Sequence, residues 1–177
     1  NPPISQLKLS GWHEYVLTHD GQINSKHSIK PSETGHVWVW GKSSEVQSKA
    51  VTLANNDYPV ILEYADYSYF DMTYTPQLKE PGFYWASKLG DTDASLSIAI
   101  AATNTQHQSN KPDNIIGLEG ALWTDVIPDY TQLQYMALPK LAGLAEASWS
   151  AESVTDIGGK PNWQSLSYRL GCGKEGF

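Results

Sequence analysis

Strand-like and helix-like segments alternate along this chain, and the alternation limits its folds more than any other feature. Leu7-Lys8-Leu9-Ser10 alternates apolar and polar residues and is closed by Gly11-Trp12. His36-Val37-Trp38-Val39-Trp40 is a β-branched and aromatic run that ends at Gly41. Pro59-Val60-Ile61-Leu62-Glu63 forms a third such run and Asn114 to Ala121 a fourth. Between them, Ser43-Ser44-Glu45 opens a helix that runs to about Leu53, with serine at the cap and an acid in the first turn. The Ala-rich stretch from Ser95 to Thr103 reads as helical. A longer helix is expected from about Tyr130 to Ser148, its apolar face made by Leu133, Met136, Ala137, Leu141, Leu144 and Ala145 and its axis bent at Pro139. A short helix from Trp163 to Leu170 stops at Gly171. This order implies a parallel sheet with helices on its faces. Four βα units are half of an eightfold barrel, and they could also form a small doubly wound sheet.

The connections differ in character. Thr18 to Thr34 is polar and glycine-containing and reads as a long loop with room for a helical turn, and Gln106 to Asp113 as a polar, proline-containing loop. Tyr64 to about Tyr84 is an equally long loop rich in aromatics, and a loop of that length in a folded chain is usually functional or disordered. Its aromatic content argues against disorder. The chain has 7 Trp and 10 Tyr against 3 Phe, a bias toward flat rings that carry a polar handle. A sugar presents flat C–H patches ringed by hydroxyls, so these residues suit carbohydrate, although any one of them could fill a core. Their placement favours a pocket: Trp12 and Trp40 close the first two strands, Tyr69 and Asp71 follow the third, and Trp123 and Asp125 follow the fourth. In α/β folds ligands sit at the C-terminal ends of the strands. Trp38 shares the face of Trp40 but sits deeper, where core filling is expected, and Trp149 and Trp163 read as packing residues.

Composition removes several classes. With 40% hydrophobic and 18% charged residues the chain is a soluble globular one. Its net charge of -7 repels polyphosphate, which argues against nucleic acid, and no apolar run is long enough to span a bilayer. Cys172 is the single cysteine, so no internal disulfide forms, and a buried inert thiol is its expected role. The histidines His13, His19, His27, His36 and His107 include no H-x-x-x-H pair, which argues against zinc. Phosphate-loop and Gly-x-Ser-x-Gly patterns are absent. The start Asn1-Pro2-Pro3 lacks an initiator methionine, as expected of a piece of a longer chain or of a processed precursor.

Several segments, in order, resemble family 20 glycoside hydrolases, the β-N-acetylhexosaminidases. Gly11-Trp12-His13-Glu14 resembles the family's Gly-Trp-Asp-Glu, and Val39-Trp40-Gly41 its next strand end. Tyr69-Phe70-Asp71 is similar to a segment of chitobiase-like members. Glu80-Pro81-Gly82-Phe83-Tyr84-Trp85 is similar to a Trp-bearing loop of the same enzymes. Gly120-Ala121-Leu122-Trp123-Thr124-Asp125 resembles the last strand end, and Pro139-Lys140-Leu141 through Ala145-Glu146 to Trp149 the helix after it. Each motif is weak alone, and the ordered set spans nearly the whole chain. Asp125 departs from the family's usual Glu, and His13 from its Asp.

The resemblance implies an α/β fold that is half of a (β/α)8 TIM barrel, strands five to eight, with residues 1–177 forming the C-terminal half of a catalytic domain. It implies removal of terminal β-linked N-acetylglucosamine with retention. The substrate's own acetamido oxygen attacks the anomeric carbon, an exception to the two-carboxylate scheme. A Glu of an adjacent Asp-Glu pair serves as general acid, and this sequence has no Asp-Glu dipeptide. The pair would lie upstream, as would a sugar-holding arginine. Arg169, the only arginine, is expected in a surface ion pair. By resemblance Trp12, Trp40 and Trp123 wall the acetamido pocket, Tyr69 donates to the acetamido oxygen, Asp71 and Asp125 accept from sugar hydroxyls, and Trp85 lines the outer pocket. No metal or cofactor is implied. The expected partners are N-acetylglucosamine-containing oligosaccharides and either the absent N-terminal half-barrel or a second copy; a periplasmic or secreted location is suggested. The isolated chain is expected to be inactive. A non-catalytic N-acetylglucosamine-binding module and a ligand-free structural half-barrel are the alternatives.

Overall fold

A computed structural model describes residues 7–86, 89–150 and 162–172. The N-terminal Asn1-Pro2-Pro3 and the side chain of Cys172 lie outside the described residues. The chain divides into two units, one formed by the residues up to Tyr64 with Ala102–Glu119, the other by Ala65–Ala101 with the residues from Gly120 on.

In the first unit the β-branched and aromatic runs become β1 (Leu9–Trp12), β2 (Thr34–Gly41), β3 (Val60–Tyr64) and β4 (Ile115–Leu118). They lie side by side in chain order, and every neighbouring pair is parallel. A doubly wound sheet reverses its strand order at a switch point. The unbroken sequence of strands sets that alternative aside.

Alternation along β2 sorts the two faces of this sheet. Val37 and Val39 are buried beside their register partners Val60 and Leu62 of β3. The helix α1 (Ser43–Asn55) packs on β2 and β3 and buries Val46, Ala50, Leu53 and Ala54. Trp38 and Trp40 point to the other face, where Trp12 pairs with Trp38. Lys42, not a serine, occupies the N-cap of α1 and makes no side-chain cap. A cap is worth only about 1 kcal/mol, while a buried Val or Leu contributes roughly 1.5–3 kcal/mol, so packing decides that this helix forms. The loop before β2 contains the expected turn, a 3-10 helix over Pro31–Glu33, and Tyr58 Oη donates to the Ile29 carbonyl at 2.7 Å to hold it.

Several boundaries differ from the sequence reading. Helix α3 (Thr92–Gln108) extends beyond the Ala-rich stretch at both ends. Its polar last turns are held by tertiary bonds invisible to periodicity, such as the buried 2.6 Å bond between Thr105 and the Tyr64 hydroxyl. β4 is shorter than the apolar run, ending at Leu118.

In the second unit the aromatic loop is tied down. After the short helix α2 (Ala65–Ser68), Tyr69 bridges to Ala121 and Met72 to Phe83. The expected single helix is two, α4 (Tyr130–Ala137) and α5 (Lys140–Trp149), broken at Leu138-Pro139. Proline has no N–H to donate and clashes with the preceding turn, so the break is stronger than a bend. Beyond the break α5 buries Lys140, Gly143 and Leu144, while Leu141 and Ala145 face solvent. Trp149 is 89% exposed among the described residues, contrary to the packing role expected of it. Trp163, at the start of α6 (Trp163–Ser167), does pack, against Leu96 and Leu166. Arg169 forms the expected ion pair, its two terminal nitrogens donating to the Glu146 carboxylate at 2.6 and 3.2 Å. Among the described residues no helix is long and apolar enough to cross a membrane.

Candidate functional site

The second unit gathers four of the predicted site residues. The Tyr69 bridge, with Phe70 N–H donating to Ala121 at 2.7 Å and Ala121 N–H to Ser68 at 2.9 Å, sets the segment Tyr69-Phe70-Asp71 beside Ala121-Leu122-Trp123. Tyr69 is 4% exposed, and its ring meets Trp85 edge-on at 5.6 Å and Trp123 at 6.3 Å between centroids. Both tryptophans remain 43% exposed. Trp85 is carried by a loop pinned to the same segment: Phe83 N–H donates to Asp71 at 2.8 Å and Thr73 N–H to Phe83 at 2.7 Å. Tyr135 Oη donates to Glu80 Oε1 at 2.7 Å and anchors the start of that loop.

Asp71 is buried among these groups, and its Oδ1 has no hydrogen-bond partner among the described residues. Burial pushes its carboxyl above the ordinary value; its own N–H, the Trp123 N–H and the Lys140 ammonium oppose that, and Asp125 adds to it. A group whose folded pKa exceeds its unfolded one binds more protons when folded, so stability falls as pH rises between the two values. Asp71→Asn is therefore expected to raise Tm at neutral pH, with the gain vanishing below about pH 3, where both forms of Asp71 are protonated. Thermal melts at both pH values check this. Asp125 sits exposed on the 3-10 turn Thr124–Val126, just beyond Trp123.

The other two predicted residues stand in the first unit. Trp12 packs on Trp38 at 5.5 Å, and Trp38 Nε1 donates to Glu119 Oε2 at 2.5 Å, so Trp38 has a polar tether as well as a packing role. Trp40 Nε1 donates to Glu14 Oε1 at 2.8 Å. His13 is buried beside it, with Lys49 Nζ 3.0 Å from Nε2. An ammonium can only donate, so the imidazole accepts and is neutral. Burial lowers its pKa in keeping with that, with Glu14 acting in the opposite sense. Together with Leu17, Thr18, His19 and Glu45 these groups line a recess of about 410 Å³. Among the described residues no group of three or more His, Cys, Asp or Glu side chains could hold a metal ion.

Sequence reasoning gave no separate role to Lys140, which is buried at the start of α5.

The profile of the glycosyl hydrolase family 20 catalytic domain matches residues 5–152. The chain belongs to glycosyl hydrolase family 20. This family 20 chain is 28% identical over 162 residues to a β-hexosaminidase of Vibrio vulnificus, covering 83% of the chain and 19% of that protein. It is 30% identical over 159 residues to the N,N'-diacetylchitobiase of Vibrio harveyi, covering 81% of the chain and 16% of that protein. It thus spans about a fifth or less of the length of these curated relatives. Among solved structures, the family 20 β-N-acetylhexosaminidase of Streptomyces coelicolor superposes with a TM-score of 0.65 at 26% identity, over 92% of this chain and 29% of that one. A mutant β-hexosaminidase of Streptomyces plicatus in complex with its product GlcNAc gives 0.65 at 27% identity, over 92% and 28%. The α/β fold with its parallel sheet is therefore similar to that of the family 20 barrel enzymes.

Proposed function

We propose that this chain is the C-terminal half of a family 20 catalytic barrel, strands five to eight, in an exo-β-N-acetylhexosaminidase acting on terminal β-linked N-acetylglucosamine. The observation that carries the reading is the cluster of Tyr69 between Trp85 and Trp123 with the buried Asp71 carboxylate beside it. It offers apolar ring faces, one hydroxyl donor and one acceptor, the set a sugar bearing an acetamido group requires.

In this reading Trp123 walls the acetamido group and holds its oxygen in line with the anomeric carbon. Such positioning replaces a bimolecular encounter with an intramolecular attack. As the oxygen bonds to the anomeric carbon, an oxazolinium ion forms and the leaving oxygen takes a proton from the general acid. Tyr69 donates to the acetamido oxygen and holds it in line for the attack. Asp71 and Asp125 accept from sugar hydroxyls, and Trp85 lines the outer pocket. The general acid belongs to an Asp-Glu pair, which this sequence does not contain. The chain's partner in the working enzyme is the N-terminal half-barrel that supplies it. The exposed apolar residues Leu7, Leu9 and Ile116, at or just before the outer strands β1 and β4, are consistent with pairing there to further strands.

The test is turnover of a chromogenic β-N-acetylglucosaminide by the purified chain, its intact mass near 19.6 kDa verified, beside the full-length protein. No turnover by the chain and turnover by the full-length protein is the expected result. Turnover at the smaller mass would overturn the assignment of the acid. Binding of N-acetylglucosamine without turnover by either would favour a sugar-binding module.

A further inference from the structure

Lys140, at the first position of α5, is fully buried. Its Nζ donates to the carbonyls of Phe70 at 2.8 Å and Met72 at 2.6 Å, and lies 3.9 Å from the centre of the Tyr74 ring. Burying an ammonium is costly, and a well-packed apolar residue of similar volume is often neutral or stabilising in its place. A lysine at such a position is best explained by what it holds. The two carbonyls bracket Asp71 and directly follow Tyr69. Other backbone groups of this segment are also taken: Phe70 N–H by Ala121, the Asp71 carbonyl by Phe83 and Met72 N–H by Tyr69. Lys140 brings the one ionic tie in this set.

We propose that Lys140 is a positioning residue for the reaction, its ammonium fixing the carbonyls on either side of Asp71 and so aiming Tyr69 and Asp71 at the sugar. The inference rests on the roles given to those two residues above. A side chain that only filled space would tolerate an apolar replacement of equal length with no change in chemistry. A side chain that aims the donor would not, because a misplacement of about 1 Å can cost on the order of 10²-fold in rate. Burial lowers the Lys140 pKa to about 8, and the carboxylates that face it, Asp71, Glu80 and Asp91, hold it from falling further. The Tyr74 phenol, raised by burial, stays neutral over this range. Near pH 8 the ammonium therefore gives way to an amine, whose hydrogen bonds are roughly half as strong. Arginine keeps its charge throughout.

The experiment uses the full-length protein and expresses kcat per folded active site, titrated with a tight-binding inhibitor. Lys140→Met is expected to lower kcat by roughly 10- to 100-fold, and Lys140→Arg to restore most of it. Both proteins share any alkaline loss from the general acid, and wild-type kcat is expected to fall several-fold further between pH 7 and 9 than that of Lys140→Arg. If Lys140→Met lowers the folded fraction but leaves kcat per site unchanged, the proposal is overturned. If it does not fold, the two pH profiles decide, and coincident profiles overturn it. Tyr69→Phe in the same protein separates the levels. A drop there with no Lys140 effect removes only the positioning role, and no drop in either removes the reading of the site.

Discussion

Replacing Tyr69 by Phe in the full-length protein is expected to lower kcat by about 10- to 10²-fold while KM moves only a few-fold. The ring is held edge-on between Trp85 and Trp123 and is almost entirely buried, so phenylalanine keeps the shape and loses only the hydroxyl. In the ground state that hydroxyl meets a neutral amide oxygen, a bond worth about 0.5–1.5 kcal/mol. As the oxygen attacks, it takes up positive character shared with nitrogen, so the phenol acts by holding it in line, and a misplacement of about 1 Å can cost on the order of 10²-fold in rate. Steady-state kinetics on a chromogenic β-N-acetylglucosaminide separate the cases. An equal fall in kcat and kcat/KM marks an interaction made in the transition state. A raised KM at constant kcat would reduce Tyr69 to a binding residue.

The parts legible in the sequence were those written in local periodicity. Alternation at Val37-Trp38-Val39-Trp40 separated a helix-covered face from a tryptophan-bearing one, and β2 has that arrangement. Tyr69, Asp71 and Trp123 were singled out because they follow strand ends, and they do lie together. Periodicity failed where a long-range bond or a chain break decides the outcome. The apolar face read through the break placed Leu141 and Ala145 inside, and both face solvent. Lys140 is four residues from both Met136 and Leu144, which are buried. A charge in that row was visible, but its partners are backbone carbonyls some seventy residues away, and no side-chain pattern encodes them.

The same kind of hidden constraint makes Gly82 the most sensitive position outside the chemistry. Its φ is 113°, a conformation that side chains rarely adopt. An added Cβ would lie 2.6 Å from the Asp71 carbonyl oxygen, 2.9 Å from Thr73 N and 2.8 Å from Met136 Cε. The methionine end can swing aside, but the two backbone atoms belong to the bonds that pin the loop, from Phe83 to Asp71 and from Thr73 to Phe83. Alanine therefore brings backbone strain of about 1–3 kcal/mol and weakens two hydrogen bonds worth about 1 kcal/mol each. Gly82→Ala is expected to destabilise by about 3–5 kcal/mol, a sizeable share of a typical domain's stability of about 5–15 kcal/mol. Gly117 is the control, since a Cβ there meets nothing within 4 Å, and Gly117→Ala is expected to be neutral within about 0.5 kcal/mol. Urea unfolding of both variants in the full-length protein measures the difference. Because Trp85 lies three residues beyond Gly82, loosening the loop also takes its ring off Tyr69, so a red-shifted tryptophan emission should accompany the loss of stability. A Gly82→Ala protein as stable as wild type with unchanged emission would mean that the loop has a second conformation able to hold Trp85 in place, and Gly82 would then not fix the geometry of the cluster.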